Sequence, residues 1–198
     1  VGMARQLSSS GALVVGIDIR TYLKAMASGQ EACAYPAADF EALSKYVQKQ
    51  RGLTDYLRPV LVGYSSGATL VYALLAQAPG NTFAGALSLG FCPDLDTGKP
   101  LCRGAGLTWK KAPSGSVFDP ARHLEQPWIA FQGGVDQVCD PARTRDFVAQ
   151  VPKGKIVELP NVGHGFSVYR NWLPQFRAAF QEIAGGEAAR SARSSPPS

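Results

Sequence analysis

Short apolar runs that do not alternate, each closed by turn-forming residues and answered by a helical pattern, constrain this chain more than any other feature. They fall at residues 12–17, 59–63, 83–89, 128–131 and 155–159. A strand wetted on one face alternates apolar and polar side chains, whereas a strand buried on both faces reads as a continuous apolar run. Helical periods follow at 39–50, 66–77, 141–150 and 171–183. That succession predicts an α/β domain on a mostly parallel sheet with helices on both faces. Asp39 is placed to cap its helix, and Pro141 stands where a first helical turn tolerates proline. From 92 to 126 the period is lost and Pro and Gly recur. This reads as an irregular insertion leaving the end of a strand, where a lid or substrate-contacting loop would sit.

The chain has 198 residues, 45% hydrophobic and 18% charged, which suits one buried domain and excludes a disordered chain. The domain is read as 1–184. Over 185–198, Gly, Ala, Ser and Pro replace the apolar period, so this stretch is read as a flexible basic tail carrying Arg190 and Arg193. Lys and Arg exceed Asp and Glu by 20 to 15, giving a charge of +5. No basic stripe is interleaved with aromatics, which argues against nucleic acid as a partner. The longest apolar stretch, 68–78, falls short of the roughly 20 residues that cross a bilayer. Met3 to Leu7 read as the end of a helix, so the chain looks like a piece of something longer.

Cys33, Cys92, Cys102 and Cys139 make an even set without C-x-x-C spacing, and neither a metal nor a cofactor is called for. Two disulfides or four thiols fit that count. Cys92 and Cys102 bracket a loop of turn formers, and closing so short a loop would stabilise by roughly 3 kcal/mol. The pairing predicted on that ground is Cys92 with Cys102 and Cys33 with Cys139.

The run 59–70 passes from strand through Gly63-Tyr64-Ser65-Ser66-Gly67 directly into a helix. A G-x-S-x-G in that setting is a nucleophile elbow, with the glycines letting strand and helix approach around a strained turn. The pentapeptide alone is common, so its partners decide. The run 128–136 is a buried strand ending in glycines and Asp136, and 157–166 repeats the arrangement with His164 between two glycines. Asp140 is the rival acid but reads as the cap of the helix starting at Pro141, and Asp18 likewise reads as a cap. His123 has no strand end or glycine turn around it and reads as structural. Ser65 as nucleophile, His164 as base and Asp136 as acid occur in α/β-hydrolase order. The backbone N–H of Ser66 would be one oxyanion donor, and the second normally comes from a loop preceding the first strand of this chain.

At these residues the chain resembles the VirJ/AcvB family of bacterial virulence proteins, which belongs to the α/β-hydrolase superfamily. The likeness runs through Leu13-Val14-Val15-Gly16-Ile17-Asp18, Arg20, Tyr22, Asp39-Phe40, the elbow, Phe91-Cys92-Pro93-Asp94, Pro100-Leu101-Cys102, Gln132-Gly133, Asp136, Cys139 and Gly163-His164-Gly165-Phe166. It implies a periplasmic α/β-hydrolase without its first strands, acting on the aminoacyl ester of lysyl-phosphatidylglycerol at a membrane surface, with links to virulence and type IV secretion. Tyr64, Asp94 and Asp96 become candidate substrate contacts, the aspartates for a cationic aminoacyl group. The family's glycine-rich segment before the first strand is absent here. Loss of one oxyanion donor lowers turnover about 10²–10³-fold, so this chain is expected to be weaker than its parent. A general carboxylesterase of dienelactone-hydrolase type, and a non-catalytic secretion-associated module on the same fold, remain open.

Overall fold

The computed structural model describes residues 2–194. In chain order its elements are α1 (Gly2–Ser8), α2 (Ile19–Ala27), α3 (Pro36–Gln50), β1 (Val60–Tyr64), α4 (Ser66–Gln77), β2 (Gly85–Leu89), β3 (Asp94–Leu95) and β4 (Trp109–Lys111). Then come β5 (Ser116–Phe118), β6 (Trp128–Gly133), α5 (Pro141–Val148), β7 (Gly154–Leu159) and α6 (Leu173–Ser194). The main sheet has the order β1-β2-β6-β7, and every pairing in it is parallel. All its strands therefore end on the same side, and the loops that follow them gather there. Successive side chains go to opposite faces. Leu61, Ala86, Trp128 and Ala130 meet α3, α4 and α5, while Leu87, Leu89, Ile129 and Phe131 meet α1 and α6. β2 and β6 are buried along their whole length, as their unbroken apolar runs require.

Several elements depart from the sequence reading. Residues 12–17 form no regular element and join no sheet among the described residues, and Leu13, Val15 and Ile17 are exposed. Ala12 and Val14 pack against the core, so the segment has a strand's alternation without a strand beside it among the described residues. Helix α3 begins at Pro36 behind Tyr35, and Asp39 lies in the first turn, accepting a hydrogen bond from the Tyr22 hydroxyl at 2.8 Å. The insertion is less irregular than expected. It contains an antiparallel sheet ordered β3-β5-β4, fastened to the body of α4 by Tyr72 Oη donating to the Asp119 carbonyl and Gln77 Nε2 donating to the Cys102 carbonyl.

The disulfides are Cys33–Cys102 and Cys92–Cys139, not the pairs predicted from loop length. Sheet order decides this. Cys92 follows β2 and Cys139 follows β6, which are neighbours, and an isolated parallel bridge between Ala34 and Leu101 sets Cys33 beside Cys102. The tail reading also changes. Helix α6 runs through Gly185 and Gly186 to Ser194, because Glu187 is buried against Arg58 at 2.7 Å and also pairs with Arg190. Residues 195–198 of the expected tail lie outside the described residues.

Candidate active site

Ser65 stands between the last residue of β1 and the first of α4, with φ of 54° and ψ of −122°. A serine in that region is strained, and it holds because its neighbours leave no alternative. Its N–H donates to the Leu89 carbonyl at 2.9 Å. Any side chain at Gly63 would collide with the Gly67 carbonyl, so the sharp crossing of strand into helix depends on that glycine. Gly67 is different, since a Cβ there meets only the end of Ile19 at 3.9 Å. Ser66 opens α4, and its N–H belongs to the first turn, whose donors have no partner inside the helix.

Asp136 lies three residues beyond β6 and is buried. Its Oδ1 accepts from the N–H groups of Val138 at 2.8 Å and Cys139 at 2.9 Å. Burial works to raise this carboxyl, but the bonds from Cys139, His164 and Val138 outweigh it and hold Asp136 below the ordinary aspartate range. His164 follows β7 in a turn fixed by Phe166 N–H donating to the Gly163 carbonyl and by Trp172 Nε1 donating to the Phe166 carbonyl. Phe166 has φ of 47°, a second strained residue at the site. The imidazole bridges the other two side chains, with Nδ1 2.9 Å from Asp136 Oδ2 and Nε2 2.9 Å from Ser65 Oγ.

The structure thus brings together three residues of which the outermost, Ser65 and His164, are 99 positions apart in sequence. Such a line can pass a proton from hydroxyl to imidazole while a carboxylate offsets the resulting positive charge. Asp136, Cys139 and His164 also cluster as metal donors would, with ligand atoms within 4.8 Å of one another. Yet the Cys139 sulfur is in a disulfide and the other two groups are bonded to each other. The cluster therefore fits a proton relay better than an ion.

Tyr64 is exposed beside the relay, its ring 5.7 Å from that of His164. Asp94 and Asp96 are not drawn in. Asp94 is exposed on β3, and Asp96 Oδ1 accepts the Gly98 N–H in a turn at 2.8 Å, lining a cavity of about 340 Å³ with Trp109, Lys99 and Lys111. Asp140 caps α5 and Asp18 caps α2, while His123 lines a separate cavity of about 150 Å³ with Leu124 and Glu125. One participant escaped the sequence reading. Gln132, buried at the end of β6, directs Nε2 at Asp136 Oδ2 at 3.4 Å and at the Cys139 carbonyl at 3.1 Å. Its adjacency to Gly133 was visible, but no pattern marks an amide at a strand end.

No protein-family model matches the chain, and no curated protein matches it. Among solved structures, a Mycobacterium tuberculosis protein assigned as a non-heme bromoperoxidase is 17% identical over 76% of this chain and 72% of its own, with a TM-score of 0.51. The esterase domain of a Rhodothermus marinus protein is 15% identical over 73% and 67%, TM-score 0.47. A lidless α/β serine hydrolase of Xanthomonas campestris is 20% identical over 79% and 58%, TM-score 0.45. Likeness at such identity speaks to fold alone. With the parallel main sheet and the strained serine between β1 and α4, the likeness to the Mycobacterium tuberculosis protein, at a TM-score of 0.51, shows that the chain has the α/β-hydrolase fold.

Proposed function

We propose that the protein is a serine hydrolase that cleaves a carboxylic ester through an acyl-enzyme on Ser65, its physiological ester being the aminoacyl group of lysyl-phosphatidylglycerol. The observation that carries the reaction type is the unbroken path Ser65 Oγ, His164 Nε2, His164 Nδ1, Asp136 Oδ2, with both gaps 2.9 Å. His164 takes the hydroxyl proton as Ser65 attacks the ester carbonyl, and Asp136 holds the tautomer and offsets the imidazolium. The carbonyl oxygen gains charge against the Ser66 N–H. The proton then passes to the departing alcohol, and water repeats the sequence on the acyl-enzyme.

The choice of lipid rests on the VirJ/AcvB resemblance. A charge of +5 suits an anionic membrane surface, and two disulfides suit an oxidising compartment such as the periplasm. No helix among the described residues is long and apolar enough to cross a membrane. A general carboxylesterase is the second reading. It is favoured by Asp96, whose carboxylate serves a turn rather than a pocket for a cationic group beside Ser65.

The test is fluorophosphonate labelling followed by release of lysine from lysyl-phosphatidylglycerol vesicles, for the wild type and Ser65→Ala. Labelling and release by the wild type, both lost in the variant, are the expected result. Labelling without lysine release supports the general esterase, and no labelling at Ser65 leaves a non-catalytic binding module.

A further inference from the structure

One short stretch, from the last residue of β2 to Cys92, supports Ser65 and His164 directly and is joined by a disulfide to the residue that holds Asp136. The Leu89 carbonyl accepts the Ser65 N–H at 2.9 Å. Gly90, with φ of 64°, lies so close to the imidazole that a Cβ on it would stand 3.1 Å from His164 Cε1. Cys92 is joined through its sulfur to Cys139, whose N–H holds Asp136 Oδ1 at 2.9 Å. The stretch is itself fixed, because Thr144 Oγ1 donates to the Phe91 carbonyl at 3.0 Å and Thr69 Oγ1 to the Cys92 carbonyl at 2.7 Å. These bonds refer it to α5 and α4.

The loop that carries Asp136 is tied on its first half to the β7 side, where the Gly134 N–H donates to the Leu159 carbonyl at 2.9 Å and the Val135 N–H to the Val162 carbonyl at 3.2 Å. Beyond Asp136, Gln137 and Val138 are exposed, Val138 at 67%, so core packing does not fix that part. Between Asp136 and the Asp140 cap of α5, the side-chain anchors are Gln132 Nε2, reaching the Cys139 carbonyl at 3.1 Å, and the Cys92–Cys139 bond with its 5.2 Å Cα separation. Cys139 therefore does two things at once. Its backbone grips the carboxylate while its side chain ties that grip to the same stretch that supports Ser65 and His164.

We infer that the Cys92–Cys139 disulfide is a positioning element of the active site, fixing the Asp136 carboxylate against His164 Nδ1, rather than a general staple of the fold. This rests on the serine-hydrolase reading. Opening the bond consumes two electrons and two protons, one of each per sulfur, supplied by a dithiol that is oxidised to its own disulfide. The freed 137–139 backbone then no longer sets its two N–H donors, and a misplacement near 1 Å costs turnover about 10²-fold.

The experiment compares Cys92→Ser/Cys139→Ser with Cys33→Ser/Cys102→Ser and the wild type, using a soluble p-nitrophenyl ester, thermal melts and the far-downfield proton resonance of the Nδ1–H to carboxylate bond. The expected result is a kcat about 100-fold lower with KM unchanged, and a broadened or absent downfield proton, in the 92/139 variant. The 33/102 variant keeps both and loses only melting temperature. Dithiothreitol treatment of the wild type, below the melting point of the reduced protein, reproduces the 92/139 phenotype, and re-oxidation restores kcat. Folded 92/139 variant with kcat within twofold of wild type overturns the inference, as does equal loss of kcat in both double variants. Should the 92/139 variant not fold, unchanged kcat in the reduced wild type overturns it instead. Should the oxidised wild type neither label nor turn over, the hydrolase reading fails, and the downfield proton still reports whether the disulfide positions Asp136.

Discussion

At the scale of single residues, the elbow separates two glycines that look equivalent in G-x-S-x-G. Gly63→Ala drives a methyl into the Gly67 carbonyl and is expected to destabilise by about 1–3 kcal/mol or more, with loss of fluorophosphonate labelling. Gly67→Ala places its methyl in ordinary contact with Ile19 inside a helix, where alanine is favoured by about 0.5–1 kcal/mol, so unfolding in urea should show no loss of stability. Ser65, Asp136 and His164 were legible because each follows an apolar run, and a parallel sheet brings such ends together whatever their distance in sequence. Gln132 was not, since its role comes from a backbone carbonyl seven residues on. Asp94 and Asp96 make no hydrogen bond to the relay among the described residues, and their type alone could not decide between two uses. A loop aspartate beside glycine is as well used by a turn as by a ligand, and Asp96 is used by a turn.

Among the elements, strands buried on both faces were read within a few residues, and helix α4 was read to its ends. Residues 12–17 carry the same apolar signal without joining a sheet, because composition records a segment's suitability for pairing and not the presence of a neighbour. Hydrogen exchange should separate the two cases. Amides of 12–17 are expected to exchange orders of magnitude faster than those of β2 and β6, and equal protection would mean that the segment is paired in solution. The insertion shows a related limit. Strands of two or three residues such as β3, β4 and β5 are too short to display a period, and their position on α4 is set by Tyr72 and Gln77, which look like ordinary helix residues.

At the scale of the whole molecule, Glu187 closes the chain on itself by holding Arg58, 129 residues away, through the guanidinium and through the backbone N–H at 2.9 Å. Gly185 and Gly186 hid this helix in the sequence, since two glycines ordinarily announce a helix end. Burial works to raise the Glu187 carboxyl, but bonds from Arg190 and Arg58 prevail and pull it from 4.5 to about 2. A carboxyl lowered in the fold contributes stability that is whole above its ordinary value and is lost as pH falls through the folded one. The window here runs from about 4.5 down to about 2, and the contribution is on the order of 3 kcal/mol. Wild-type melting temperature should therefore fall by about 10 °C more than that of Glu187→Gln across this window, and parallel curves would show the pair to be idle. The two disulfides alternate along the chain, the first cysteine joining the third and the second joining the fourth. During synthesis Cys33 and Cys92 emerge before either native partner, so an oxidant acting on the nascent chain first captures a wrong pair. The yield of active protein from oxidative refolding of the reduced chain is therefore expected to rise when a disulfide isomerase is added, and an equal yield without it would show that the wrong pair does not form.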